Sequence, residues 1–557
     1  MRSNMNNRIL KFYTMRIPYK IIISSLVVIV LMTSCGKDYL ERPSLQNISA
    51  ENFYKTKEDL RLATASLYGG RLWGDWTYTC YLPVGEVLSG NLIVGYWGDA
   101  VQLNTFSVTS QNSITASNWR DMFNVIAHCN VTINAIHENT PNTVELADKN
   151  AAIAEARFLR GYAYYNLALL WGDVPIIEDN TKLITSPLVD KNRTEDVYQF
   201  VVNDLRFAAK NLPTSDVPGR LTTWSAQGML AKVFLTWAAY HPDGNGGSRN
   251  QALVDSAKFY AGNVCKNSHL QLLGLAADFT RDPSLSYADL FKTSHNDNPE
   301  SLFALQWAPN NGWLDGNMLQ IYSSGGTEIS ANGSAGWFGI TPTFDLYSQY
   351  SKQDSVRRKA TFMLKGDHYP ELNAAGGGFT YRGDSGLKKH IIGTNVDNNA
   401  PTMTLTSSTE HNSLLRLADV YLLYAEAILG DASSTSDPDA LKYFNAVRTR
   451  AGLDPATTVD ADSLFKERRI ELAGEGHYWE DLVRLSYSNP KAVADKLTAQ
   501  QRVTFTYDDK TKVATKGSGY GDVTPADKTT FRLPIPSSEV TINPKLDPLA
   551  PSVPYSF

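Results

Sequence analysis

The densest run of residues able to do chemistry in this 557-residue chain lies between Glu467 and Arg484. Glu471 and Glu475 stand four apart, which on a helix places both carboxylates on one face, and His477 with Glu480 has the i,i+3 spacing of a metal-ligand pair. Two facing carboxylates are what acid–base cleavage of a glycosidic bond requires. Arg468 and Arg469 have equal reach as partners, so ion-paired packing is the expected reading, with no catalytic and no metal-ligating residue assigned. No HExxH, GxSxG or P-loop pattern occurs in the chain. Asp243-Gly244-Asn245-Gly246-Gly247 begins like a calcium loop but lacks the distal glutamate, so a turn is expected there and no cofactor.

The tryptophans carry a different chemistry. Of the eleven, Trp73, Trp76, Trp97, Trp307, Trp313 and Trp337 fall in two short windows rich in Gly, Asn and Asp. A flat ring offers a stacking surface to the apolar C–H face of a sugar, and amide and carboxylate neighbours meet its hydroxyls. With Tyr96, these six form the predicted carbohydrate-binding set. Trp119, Trp171, Trp224, Trp237 and Trp479 lie on or beside helical patterns and are expected in the core.

The N-terminus supplies a second functional statement. Residues 1–34 read as an export signal: Arg16 and Lys20, then the apolar run Ile21 to Met32, then Thr33-Ser34-Cys35. The run is about a dozen residues, short of the ~20 that span a bilayer. The pattern resembles a lipobox, which makes Cys35 the predicted lipidation site and the chain lipid-anchored to a membrane. Cys80, Cys129 and Cys265 remain; three cannot all pair, and they are expected to be buried small hydrophobes. A net charge of −5 and a pI near 6 exclude a polyanion as partner, so no nucleic acid is expected.

Helical periodicity positions these groups. Ala156, Leu159, Ala163, Asn166 and Leu170 form one stripe and Phe158, Tyr162, Tyr165 and Leu169 another, so this helix is packed on two sides. The same doubling runs through 414–429. Further helices are predicted at 57–70, 118–137, 194–211, 224–240, 251–265, 439–451 and 462–474, joined in pairs by short links. The expected fold is mostly α, with tetratricopeptide-like helix pairs stacked in a superhelix, a loop-rich irregular face and a few short strands. Residues 71–117 and 266–412 are read as the long irregular stretches, with a strand near 302–306.

Six ordered motifs then resemble one family. They are Asp38 to Pro43 after the cysteine; Glu155 to Tyr162 leading into Trp171 to Pro175; Leu415 to Ala427; Asn445 to Leu453; Glu467 to Leu472 with Glu475-Gly476 and Trp479 to Arg484; and Leu533 to Pro536 with Asn543-Pro544. The chain resembles SusD/RagB proteins from Cys35 to about residue 547. The resemblance implies a cell-surface outer-membrane lipoprotein that captures oligosaccharide and delivers it to a SusC-like TonB-dependent transporter. Residues 35–557 would form one SusD-like unit, with an N-terminal part at about 35–240 and a C-terminal part at about 266–557. Two rivals are a surface glycoside hydrolase with paired carboxylates and a peptide- or glycopeptide-binding transporter partner.

Overall fold

The computed structural model describes residues 53–308, 313–322, 329, 339–394, 396–397 and 408–557. Cys35, the 1–34 segment and Trp337 lie outside the described residues.

Helices begin where side chains can satisfy the orphan N–H groups and stop where glycine can turn the chain. The first part holds α1 (Lys57–Ala65), α2 (Arg71–Trp76), α3 (Gly98–Thr105), α4 (Ser113–Asn139), α5 (Leu146–Trp171), α6 (Thr194–Asn211), α7 (Thr223–Ala239) and α8 (Gln251–Asn267). The second holds α9 (Leu417–Leu429), α10 (Pro438–Ala451), α11 (Ala461–Glu471), α12 (His477–Ser488) and α13 (Pro490–Ala499). Thr56 and Asp59 form a capping box on α1, Asn112 caps α4, and Asp437 caps α10 ahead of Pro438. Gly452 ends α10 at φ 76°, in the left-handed region.

From α4 to α10 each helix packs on the next, and α7 also touches α9 and α12. This is the stacked helix-pair superhelix expected from the doubled stripes. Glycines set the close approaches: a Cβ on Gly228 of α7 would stand 3.0 Å from Val420, and one on Gly262 of α8 would stand 3.0 Å from Tyr424, both on α9. One strand, β1 (Ser301–Leu305), pairs antiparallel with β2 (Asn412–Arg416) and lays its apolar residues on the stack. The helix expected over 414–429 therefore starts only at Leu417, because Leu414 and Leu415 belong to β2. A hairpin of β3 (Phe505–Asp508) and β4 (Val513–Lys516) lies near the C-terminus.

The expected irregular stretch at 71–117 is largely helical. After α2 come two wide π-type turns, Thr77–Tyr81 and Pro83–Val87. Pro83 offers no N–H and its ring crowds the preceding turn, and Leu88 N–H reaches back five residues to its carbonyl at 3.0 Å.

The charged run at 467–484 is ion-paired, as expected, but to distant partners. Arg416, at the end of β2, bonds Glu300 at 2.6 Å, Glu471 at 2.7 Å and Glu475 at 2.7 Å. Arg450 joins Glu300 and Glu471, Arg357 joins Glu467 at 2.6 Å, and Lys389 joins Glu475 at 2.8 Å. Burial alone would raise the Glu475 carboxyl, yet Arg416 and Lys389 outweigh it and hold the group well below the usual range. Arg468 pairs with Asp419 and Asp481, both at 2.8 Å, and Lys232 bridges Asp419 and Glu480 at 3.0 Å.

Candidate functional site

The fold divides the predicted aromatic set. Trp73, Trp76 and Trp307 are buried and cannot present a face to a sugar, which corrects their place in it. Trp73 and Trp76 are three apart on α2, so both indoles point the same way, into the stack. Trp73 donates to the Leu67 carbonyl at 2.8 Å and Trp76 to Asn118 Oδ1 of α4 at 3.0 Å. Trp307, just past β1, donates to Asn412 Oδ1 on β2 at 2.6 Å. All three indole N–H groups are satisfied from within the protein.

Tyr96 and Trp313 are 57% and 41% exposed, and Trp97, the cap residue of α3, is half-buried. The structure joins Trp313 to a residue absent from the predicted set, Tyr78. Its ring meets Trp313 edge-to-face at 5.5 Å and stacks at 6.0 Å on Tyr322, which is fully buried. Tyr322 hydroxyl donates to the Tyr78 carbonyl, and Arg71 holds the Trp313 carbonyl at 3.3 Å. Partial burial, then the nearby Tyr78, raise the Tyr96 hydroxyl above its ordinary range. The outcome is Trp313 and Tyr78 presented on the buried Tyr322, with the exposed Tyr96 and the half-buried Trp97 on the segment that leads into α3. Only Tyr78's position two residues past Trp76, at the start of the π-type turns, hinted at it in the sequence.

Polar groups flank these rings. Asp75 accepts from Thr79 at 2.8 Å and pairs with Arg120, whose Nε donates to Asp121 at 3.1 Å. Burial, then the Asp75 carboxylate, push Asp121 up to about 7 despite Arg120.

Several concave places lie away from these rings. Two enclosed cavities of about 30 Å³ beside Glu475 hold water-sized volumes only. A cavity of about 490 Å³ opens where α5, α7 and α12 end, lined by Trp171, Tyr240, His241, Tyr487 and Arg532; it shares no residue with the aromatic group. Arg532 there donates to the Ala168 carbonyl at the end of α5 and lies over the Tyr240 and Tyr487 rings. The Asp243 loop is a turn, its carboxylate accepting from Asn245 N at 3.1 Å and Nδ2 at 3.0 Å. No group of His, Cys, Asp or Glu among the described residues is arranged to hold a metal. Cys80 and Cys129 are buried and Cys265 half-buried, all three as free thiols.

The comparisons with known proteins agree with this architecture. A model of the SusD family matches residues 372–550, and a model described as starch-binding, associating with the outer membrane, matches 88–235. A SusD-like protein of Bacteroides ovatus is 35% identical over 550 residues, covering 95% of this chain and 97% of that protein. A solved structure with xylogluco-oligosaccharide is 35% identical with a TM-score of 0.80, covering 89% of this chain and 99% of the other. Surface glycan-binding protein A from Bacteroides fluxus, at 20% identity and a TM-score of 0.66, covers 88% of this chain and 97% of its own and shares the fold. The chain belongs to the SusD/RagB family, whose members are binding proteins and not enzymes. Glu471 and Glu475 are both locked in buried ion pairs, which leaves neither as a catalytic acid or base.

Proposed function

We propose that this protein captures oligosaccharides at the cell surface, on the face built by Tyr78, Tyr96, Trp97 and Trp313, and passes them to a SusC-like TonB-dependent transporter. The observation that carries the reading is the exposed Trp313 held edge-to-face on Tyr78 and the buried Tyr322, with Tyr96 also exposed, while Trp73, Trp76 and Trp307 are withdrawn into the core. The xylogluco-oligosaccharide in the 35%-identical structure makes a branched β-glucan the first ligand class to try. Stacking rings worth roughly 0.5–1.5 kcal/mol each give micromolar to millimolar affinity, which suits capture followed by release.

Lipidation at Cys35 would hold the chain at the outer membrane, since two or more acyl chains anchor stably where one does not. None of the helices among the described residues is long and apolar enough to cross a membrane. Cys35→Ser should move the protein from the membrane fraction to the soluble one.

Titration calorimetry against xyloglucan-derived oligosaccharides, laminarin and starch oligosaccharides tests the binding. Trp313→Ala should lower affinity about tenfold, and Tyr96→Ala by a smaller factor. Absence of binding to every glycan, or full binding by Trp313→Ala, sinks the reading.

A further inference from the structure

Tyr520 comes from a part of the chain more than four hundred residues beyond Tyr96, yet it stands against the same strip of backbone. A Cβ on Gly95 would fall 2.3 Å from Tyr520 Cε1 and 2.4 Å from its Cζ, so the tyrosine ring rests directly on the glycine. Only a residue without a side chain lets it lie there, and Gly95 has no positive φ to demand glycine for another reason. Consecutive Cα atoms are about 3.8 Å apart, so the glycine beneath the ring is the chain neighbour of Tyr96 and lies two residues from Trp97.

Its loop is fixed. Gly517 N–H donates to the Thr504 carbonyl at 2.8 Å, closing the β3–β4 hairpin. Beyond Tyr520, Thr524 N–H donates to the Thr105 carbonyl at 2.9 Å, at the end of the helix that Trp97 begins. The ring stays 41% exposed although bulky apolar residues are plentiful in the core below.

We infer that Tyr520 is a further sugar-stacking residue, extending the aromatic face beyond Tyr96 by one ring position, so that the protein favours longer β-glucan oligosaccharides over shorter ones. The inference rests on the function proposed above. Gly95 then has a defined role, holding open the seat on which Tyr520 lies.

The test uses the full chain without its signal segment and two xyloglucan oligosaccharides, one repeat unit long and two repeat units long. Tyr520→Ala removes the ring, and Gly95→Ala displaces it while leaving it in the sequence. Both variants should lose about fivefold in affinity for the longer oligosaccharide, roughly 1 kcal/mol, and less than twofold for the shorter one, with thermal melts matching the parent. Wild-type failure to bind either oligosaccharide or any other glycan tried removes the proposed function itself. Where the wild type binds, unchanged affinity of Tyr520→Ala for the longer chain, or equal losses for both lengths, overturns the role of Tyr520 alone. A loss in Gly95→Ala with none in Tyr520→Ala overturns it too.

Discussion

The buried ion network beside α9–α12 and the aromatic face around Tyr78 use opposite materials. The first collects Arg357, Arg416, Arg450, Glu300, Glu467, Glu471 and Glu475 away from water, each charge answered by at least one other. The second keeps rings at the surface and has few charges to spare, with Asp75 and Asp121 tied to Arg120. The charge-rich region looks more like an active site in the sequence, yet its carboxylates have no valence left for a ligand. Its part is to lock β2, α10 and α11 to one another and to the segments around Glu300 and Arg357. The aromatic region presents rings where the other buries charges, and is suited to a neutral, many-hydroxyl ligand for that reason.

The difference predicts where substitutions act. The largest effect belongs to Glu471→Ala, which leaves Arg416, Arg450 and Arg357 short of a shared carboxylate; stability should fall by about 3–5 kcal/mol in urea titration. A loss under 1 kcal/mol would show the network to be dispensable. Trp73→Ala should cost a comparable ~3–5 kcal/mol through the cavity it leaves, whereas Trp313→Ala should shift stability by less than about 1 kcal/mol while weakening glycan binding. Equal destabilisation by the two would erase the distinction between supporting and presented tryptophans.

The smallest effect is in pH dependence. Asp121, held up to about 7 by burial and Asp75, titrates near 3.9 when unfolded. Between those values the folded state keeps a proton that the unfolded state has lost, so this group's contribution to stability declines as pH rises from about 4 to 7. Asp121→Asn should therefore gain on the parent as pH rises from about 4 to 8 and lie close to it near pH 4. A difference independent of pH would assign the effect to packing.

Much of the helical stack was legible in the sequence. The doubled stripe at Ala156–Leu170 required a helix covered on both sides, and α6 occupies 194–211 as its apolar spacing predicts. The strand at 302–306 is visible, but its partner has the periodicity of a first turn of α9, because Leu414 and Leu415 fit either period and only pairing with β1 decides between them. Residues 71–105 were harder still. Gly, Asp and aromatic residues suggested loop, and tertiary packing around Trp73 and Trp76 overrode local propensity.

The sequence by itself determined the stacked-helix architecture and the family, because periodicity and motif order are carried along one chain; that the Glu467–Arg484 run is ion-paired was legible too, but its partners Arg416, Arg450 and Asp419 come from elsewhere in the fold. Which aromatic rings face water was settled only by the tertiary structure. Burial depends on what arrives from elsewhere: Asn412 reaches Trp307, Asn118 reaches Trp76, and Tyr520 comes to rest on Gly95. A tryptophan in a glycine-rich window has the same composition around it whether it ends as support or as surface, and the neighbours that choose between those fates are more than a hundred residues away for two of these three pairs.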